Sequence, residues 1–146
     1  MREGGVLLSS MQEERTTGVT SMTKKQKIAI VGLGRVGSVF LEALLSKANK
    51  GLEIVAVAEK GDTPGCRLAR ANGIEVLDVD GLIGKSSDVD IIFDLTGVSA
   101  VRQELREKLL KSTNRHTVIA TESIARMIWI FIADTELPDI HAVAGY

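Results

Sequence analysis

The chain has 146 residues, of which 45% are hydrophobic and 25% charged, and its formal net charge is -1. These values are typical of one globular domain with a buried core, and the charge argues against a nucleic-acid partner, which would favour a basic face. With a single cysteine, Cys66, no internal disulfide can form, a zinc site has no support, and a reducing, cytoplasmic setting is the default expectation. The apolar run at 127–133 is far shorter than the roughly 20 residues that span a bilayer, so we expect no membrane segment.

The beginning of the chain differs from the rest. Residues 1–25 are rich in Glu, Arg, Ser, Thr and Gly and show no hydrophobic period, which is typical of a mobile tail. Packing of this tail on a partner subunit is the alternative. We therefore divide the chain into a tail, residues 1–25, and one folded domain, residues 26–146.

From Lys27 onward, short apolar runs alternate with segments of helical periodicity. The runs predict buried strands at 28–31, 54–58, 74–76, 91–93 and 117–120, with a sixth at 140–143. Helices are predicted between them: one carrying Val36 to Leu44 and ended by residues 49–51, then 64–72 stopped by Gly73, a single turn at 80–85, one through 98–109, and a last helix with Ser123 as a plausible N-cap. The mixed charges at 102–111 are typical of a solvated helix face.

This alternation predicts the fold class. Repeated βαβ units require right-handed crossovers and a parallel sheet that is covered on both faces. We therefore expect an α/β, three-layer Rossmann-type domain with a mainly parallel sheet.

A glycine-rich turn follows the first strand. Residues 32–37 read Gly-Leu-Gly-Arg-Val-Gly and match G-x-G-x-x-G between a strand and a helix, the context that gives this pattern its value. Gly32 would permit the tight turn, Gly34 would let the backbone approach a pyrophosphate, and Gly37 would let the helix pack closely on the strand. The helix N-terminus then offers N–H groups and a partial positive charge to phosphates. The pattern indicates a dinucleotide site, and a turn that merely joins strand to helix is the alternative.

Two charged residues end the second strand. Glu59, about twenty residues beyond the last glycine of the motif, can accept hydrogen bonds from both hydroxyls of the adenosine ribose. Its carboxylate would repel a 2′-phosphate, which favours NAD over NADP, although the adjacent Lys60 could attract that phosphate. A solvated strand-end carboxylate is the alternative for Glu59.

Other residues complete the predicted cofactor site. Arg35, inside the turn, could reach the pyrophosphate, or it could simply face solvent. Thr96 and Gly97 follow the fourth strand and would face the cofactor, since ligands bind beyond the carboxyl ends of parallel strands. Thr121 occupies the corresponding place after the fifth strand, with helix capping as the alternative reading of the segment 121–123.

Three segments resemble a known group of proteins. Residues 28–37 (IAIVGLGRVG), 52–59 (LEIVAVAE) and 89–97 (VDIIFDLTG) resemble the N-terminal NAD(P)-binding domain of the homoserine dehydrogenase, aspartate dehydrogenase and glucose-fructose oxidoreductase families. The resemblance extends from Lys27 to about Ile132, and its motifs are shared by many dinucleotide-binding folds. It implies that nicotinamide dinucleotide is bound by Gly32, Gly34, Arg35, Val36, Gly37, Glu59 and Thr96.

The sequence departs from those families in two ways. They usually follow the nucleotide domain with a substrate domain, for which this chain leaves no room, and they often place a lysine after the fifth strand, where this chain reads Ala-Thr-Glu-Ser. No catalytic residue can be assigned. The chain is expected to be the cofactor domain of an NAD(P)-dependent oxidoreductase without a substrate domain. The alternative is a non-catalytic nucleotide-sensing module, because residues 32–37 are also similar to the regulatory domains of potassium channels and transporters.

The last predicted helix is apolar on nearly all sides. A stripe at helical spacing is formed by Ile124, Met127, Ile128 and Phe131, and Trp129 adds apolar surface on another face. One face can cover the sheet, and the remainder needs another cover. We expect a homodimer through this helix, with Trp129 as its anchor. Coverage by the C-terminal residues or by the N-terminal tail is the alternative.

Overall fold

The computed structural model describes residues 24–133, 135, 137 and 138. In this part of the chain, five strands alternate with five α-helices, and two short 3₁₀ helices lie at Ala48–Lys50 and Ser86–Asp88. The strands are β1 (Gln26–Val31), β2 (Leu52–Ala58), β3 (Glu75–Leu77), β4 (Ile91–Asp94) and β5 (Val118–Ala120). The α-helices are α1 (Arg35–Leu45), α2 (Pro64–Ala71), α3 (Val79–Gly84), α4 (Ser99–Lys111) and α5 (Glu122–Ile132).

The five strands form one parallel sheet in the order β3-β2-β1-β4-β5. The chain moves outward from β1 in one direction through β2 and β3, and then returns to the other side of β1 to add β4 and β5. The order therefore reverses between β1 and β4, which is the place where open α/β sheets hold their ligands. The predicted fold class is confirmed.

Successive residues of β1 point to opposite sides of the sheet and enter two separate cores. Ile28 and Ile30 join the core beneath α1, α2 and α5, where Phe40 and Phe93 meet edge to face with their ring centroids 5.1 Å apart. Ala29 and Val31 join the core beneath α3 and α4. The apolar run in the sequence therefore reflects a strand that is covered on both faces.

Local chemistry explains three of the helix boundaries. Thr63 is the N-cap of α2, and its hydroxyl accepts a hydrogen bond from the backbone N–H of Cys66. Asp78 is the N-cap of α3, and its carboxylate accepts one from the backbone N–H of Gly81. Past the end of α2, Gly73 adopts a positive φ of 73°, as predicted for the residue that stops this helix.

Two predicted boundaries were wrong. α1 ends at Leu45 rather than near residue 49, because the chain tightens into a 3₁₀ turn before Gly51, which has a φ of 94°. The N-cap of α5 is Thr121 and not Ser123, which lies inside the helix. The predicted tail lies outside the described residues except for Lys24 and Lys25, and the predicted sixth strand at 140–143 lies wholly outside them.

Of the five residues predicted for the interface, the last helix exposes Ile124, Met127 and Phe131, whereas Ile128 packs against the core. Trp129 is only 6% exposed and belongs to the core, and its indole N–H donates to the backbone oxygen of Thr135 at 2.5 Å. Its predicted role as an interface anchor is therefore wrong, because a buried side chain is not available to a partner. The exposed apolar residues of α5 are Ile124, Met127, Ile130 and Phe131.

Candidate functional site

A cleft of about 520 Å³ opens at the carboxyl ends of β1, β2 and β4. This volume lies within the range of roughly 300–1,000 Å³ that is typical of small-molecule sites. Its lining comes from the turn after β1, the end of β2, the start of α3 and the segment from the end of β4 into α4. The chain reversal between β1 and β4 therefore produces an open groove between these loops.

The glycine-rich turn forms the floor of the cleft and is packed too tightly for larger residues. Gly32 has a φ of 92°, and a Cβ built there would lie 2.9 Å from both the backbone nitrogen and the Cγ2 of Thr96. A Cβ built on Gly37 would lie 1.8 Å from the carbonyl oxygen of Gly32. The first glycine is thus required by backbone conformation and by a neighbouring loop, and the third by contact between helix and turn.

Helix α1 meets the cleft at its N-terminus and carries no side-chain cap there. Its N-cap residue is Gly34, which is exposed and lines the cleft, and no acidic residue lies in its first turn. α2 and α3 are capped by Thr63 and Asp78, whereas α4 and α5, like α1, have no side-chain cap. The partial positive charge of α1 is therefore left for a ligand that brings its own negative charge.

Glu59 and Lys60 both line the cleft at the end of β2. The backbone N–H of Glu59 donates to the Leu77 oxygen at 3.3 Å, which extends the pairing of β2 with β3. The Glu59 carboxylate is half-buried and accepts a hydrogen bond from the backbone N–H of Lys60 at 3.1 Å, while the Lys60 side chain is exposed. Of these two charged groups, the Glu59 carboxylate is therefore held more firmly in position.

The turn after β4 is organised by Asp94, which is completely buried. One carboxylate oxygen accepts the backbone N–H of Thr96 at 3.1 Å and its hydroxyl at 2.7 Å. The Thr96 hydroxyl in turn accepts the backbone N–H of Val98 at 3.1 Å. Since the single hydroxyl hydrogen of Thr96 is donated to Asp94, this side chain shapes the turn and presents its methyl group to Gly32.

The end of the cleft between α3 and α4 combines apolar walls with an ionic cluster. Its apolar lining includes Val79, Val98 and Val101. The Lys108 ammonium lies 2.5 Å from a carboxylate oxygen of Asp80 and 3.6 Å from one of Glu104. The hydrogen bond to Asp80 raises the pKa of Lys108 above its usual value. This cluster joins α3 to α4 across one end of the groove.

Most of the predicted cofactor residues meet in this cleft. Its lining includes Gly32, Gly34, Arg35, Val36, Glu59, Lys60 and Thr96. Gly37 lies beneath the turn in a packing role, and neither Gly97 nor Thr121 lines the cleft. Sequence reasoning missed Asp78, Val79, Asp80, Glu104 and Lys108, although Glu104 and Lys108 stand four residues apart on one helix face and could have been noted as a pair.

The histidine and the cysteine of the described residues lie outside the cleft. His116 pairs with Asp90 at the opposite, amino-terminal edge of the sheet, and Cys66 is buried. Among the described residues no group of His, Cys, Asp and Glu is arranged to hold a metal ion. No helix in the described part of the chain is long and apolar enough to cross a membrane.

Comparison with solved structures shows that the domain has a Rossmann fold. The homoserine dehydrogenase of S. aureus aligns at 19% identity with a TM-score of 0.51, over 77% of this chain and 30% of that one. A protein from Bacteroides fragilis described as an NADP oxidoreductase aligns at 19% identity with a TM-score of 0.52, over 75% of this chain and 41% of that one. At this identity the likeness shows the fold, and the chain spans less than half the length of either relative.

A family comparison is more specific than these structural likenesses. No curated protein matches the chain. The model of the homoserine dehydrogenase NAD-binding domain, however, matches residues 32–122, which is more than half of the chain and runs from the first glycine of the turn to the start of α5. The cleft, its glycine turn and its uncapped helix suit the pyrophosphate of a nicotinamide dinucleotide. The chain belongs to the family of homoserine dehydrogenase NAD-binding domains.

Proposed function

We propose that this domain binds NAD(H) in preference to NADP(H), with the pyrophosphate over the N-terminus of α1 and the adenosine ribose beside Glu59. The observation that carries the proposal is the uncapped start of α1 at Gly34, opening into the cleft. Backbone N–H groups at a helix start bind phosphate oxygens well when no side chain occupies them. Arg35, exposed at the first position of α1, adds a positive charge beside the same place.

The preference for NAD rests on the charges around the ribose position. Glu59, Asp78 and Asp80 line the cleft, and the cation Lys108 is already engaged by Asp80 and Glu104. The other two cations of the lining, Arg35 and Lys60, are exposed, and Arg35 lies at the start of α1 beside the position proposed for the pyrophosphate. A 2′-phosphate would therefore meet the Glu59 carboxylate at the ribose position, whereas a free 2′-hydroxyl could donate to Glu59.

Titration with NADH tests the binding. We expect a change in NADH fluorescence on addition of protein, and its loss in Gly34→Val, because the added side chain would occupy the space of the pyrophosphate. Gly84→Val is the matched control, since a Cβ at Gly84 meets no atom within 4 Å and this glycine lies outside the cleft. Absence of binding by the wild type at millimolar NADH and NADPH would refute the proposal.

The cofactor preference has its own test. Glu59→Ala should weaken NAD binding and reduce the ratio of NAD to NADP affinity, because it removes both the ribose acceptor and the charge that repels a 2′-phosphate. Lys60→Ala is the control and should leave the ratio high. A wild-type preference for NADP would show that Lys60, and not Glu59, governs this position.

Turnover assays separate the two classes of function that the sequence suggests. Oxidation or reduction of the cofactor with homoserine, aspartate or sugar substrates would assign the domain to a dehydrogenase. A change in assembly on NADH binding without turnover would assign it to a nucleotide sensor. A cytoplasmic location belongs to the same proposal, since a free buried thiol at Cys66 is compatible with a reducing compartment.

A homodimer through α5 is the second part of the proposal. Ile124, Met127 and Phe131 recur at a spacing of three and four residues, and Ile130 lies beside them. Ile130 is 75% exposed and Phe131 81%, which is high for neighbouring large apolar side chains on one helix. A two-fold pairing of this face with itself would remove it from water.

Light scattering tests the dimer without disturbing the core. Phe131→Glu should produce a monomer at tens of micromolar, because it places a charge at the most exposed residue of the proposed contact. Leu110→Glu is the control, as Leu110 is 70% exposed at the end of α4 and should tolerate the charge without loss of the dimer. A monomeric wild type, or a dimeric Phe131→Glu, would refute this interface.

A further inference from the structure

The carboxylate of Asp94 is the charge most deeply buried at the cleft end of the sheet, yet it does not line the cleft. Its second oxygen accepts a hydrogen bond from the Nε of Arg102 at 3.2 Å, and the Arg102 side chain is 30% exposed. A buried carboxylate is retained only when its charge and its lone pairs are matched by partners. Arg102 and Thr96 together supply those partners, one to each oxygen.

The position of Arg102 is unfavourable for the helix alone. It is the fourth residue of α4, whose N-cap Val98 makes no side-chain cap and whose first turn contains no acidic residue. A cation near a helix N-terminus is disfavoured by the helix dipole, and no acidic group on α4 itself offsets it there. The arginine is therefore explained by its partner on β4 and not by the helix that carries it.

The hydrogen bonds of the Asp94 carboxylate link it to the cleft through Thr96. Both hydrogen bonds from Thr96 go to one oxygen of Asp94, and Thr96 lies against Gly32, where a Cβ would be 2.9 Å from its nitrogen and Cγ2. Movement of Thr96 toward Gly32 would push on the glycine turn, and movement away would open a gap beneath it. The distance between the two turns is thus determined by the bonds that hold Thr96.

We propose that Asp94 and Arg102 are positioning residues, which hold the Thr96 turn at the distance from α1 that the pyrophosphate needs to fit between them. This inference rests on the proposed function. Neither side chain lines the cleft, so their effect on the ligand passes through Thr96 and Gly32. Ligands that reach across the glycine turn depend on the pair, whereas ligands confined to the ribose beside Glu59 do not.

Two ligands distinguish positioning from a general loss of structure. NADH crosses the glycine turn, and adenosine carries the base and the ribose without any phosphate. In Arg102→Met, we expect NADH affinity to fall about tenfold. Adenosine affinity, measured by its competition with NADH, should stay within about twofold of the wild type. Arg106→Met is the control, because Arg106 is exposed one turn further along α4 and lies outside the cleft.

The outcomes separate this inference from the proposed function. Equal losses for NADH and adenosine, or unchanged affinity for both in a folded Arg102→Met, would overturn the positioning role without contradicting the proposed binding of the cofactor by the wild type. A wild type that binds neither ligand would overturn both. If thermal melting shows that Arg102→Met does not fold, Arg102→Lys carries the test: it keeps the charge but not the planar guanidinium, and it should show a smaller loss, again selective for NADH.

Discussion

The two ends of the parallel sheet use their polar groups in different ways. At the amino-terminal end, Asn114 accepts backbone N–H groups from His116 and Thr117 and donates to the hydroxyls of Ser86 and Thr117. At the carboxyl end, the N-cap of α1 is the exposed Gly34, and no side chain caps this helix. The difference shows which polar groups stabilise the fold and which are left for a ligand.

The largest effect is expected where the ligand end depends on close packing. Gly37→Ala should lower the free energy of unfolding by about 3 kcal/mol, since its Cβ would lie 1.8 Å from the Gly32 oxygen and the backbone must shift. NADH binding should fall with it, because the same shift displaces the turn. Gly84→Ala, which meets nothing within 4 Å, should instead raise stability by about 0.5 kcal/mol through helix propensity.

Urea denaturation and NADH titration of both variants check this expectation. A Gly37→Ala protein as stable as the wild type would show that the helix and the turn can separate at little cost. The ligand end would then be no more tightly constrained than any other turn, and the contrast between the two ends would disappear.

At the opposite end, stability and binding should separate. Asn114→Ala removes two donated and two accepted hydrogen bonds and leaves the 2% exposed Ser86 without one partner, so we expect a loss of about 2 kcal/mol of stability. NADH affinity should not change, because these groups lie at the far edge of the sheet. Thermal melting and NADH titration of the same preparation measure the two quantities. A fall in affinity comparable to that of Gly34→Val would contradict the division between the ends.

Sequence reasoning was most successful where the pattern is local. The apolar runs of β1, β2 and β4 and the glycine turn are each contained within a few residues, so strand positions and most of the phosphate turn could be predicted. Asp78 and Asp80 lie on a different segment from Glu104 and Lys108, and only the topology brings the two segments to one cleft. No spacing in the sequence encodes that distance.

Where several residues have the same chemistry, the sequence could not choose between them. Thr121 and Ser123 are both suited to cap a helix, and the backbone places Thr121 at the boundary. In α5 nearly every face is apolar, so periodicity does not indicate which residues enter the core. Packing against the sheet decides that Trp129 is buried and Ile130 exposed.

Backbone strain at Thr113, at the amino-terminal end of the sheet, predicts a smaller effect, which is a gain in stability rather than a loss. Thr113, just beyond α4, has a φ of 64°, a conformation in which a β-branched side chain is unfavourable. Thr113→Gly should therefore raise the free energy of unfolding by about 1 kcal/mol, with NADH affinity unchanged. Denaturant titration of the wild type and of Thr113→Gly measures the gain. A destabilised Thr113→Gly would mean that the Thr113 side chain contributes more than the strain costs.

The smallest expected effect is a dependence of stability on pH in the acid range, which comes from Asp90. Its carboxylate accepts the backbone N–H of Lys27 at 2.8 Å and pairs with the ring of His116, and these contacts, the first above all, lower its pKa below the ordinary value of 3.8. A group whose pKa is lower in the folded state stabilises the protein above its unfolded pKa and loses that contribution as the pH falls. The contribution of Asp90 to the free energy of unfolding should therefore be complete above about pH 5 and should decline below about pH 4.

In Asp90→Asn the fall in stability with decreasing pH should be less steep. Asp88→Asn, which changes an exposed neighbouring carboxylate, should keep the wild-type slope. Denaturation midpoints at pH 3 to 7 measure both slopes. Identical slopes in the wild type and Asp90→Asn would show that the contacts of residue 90 with Lys27 and His116 do not depend on the carboxylate charge.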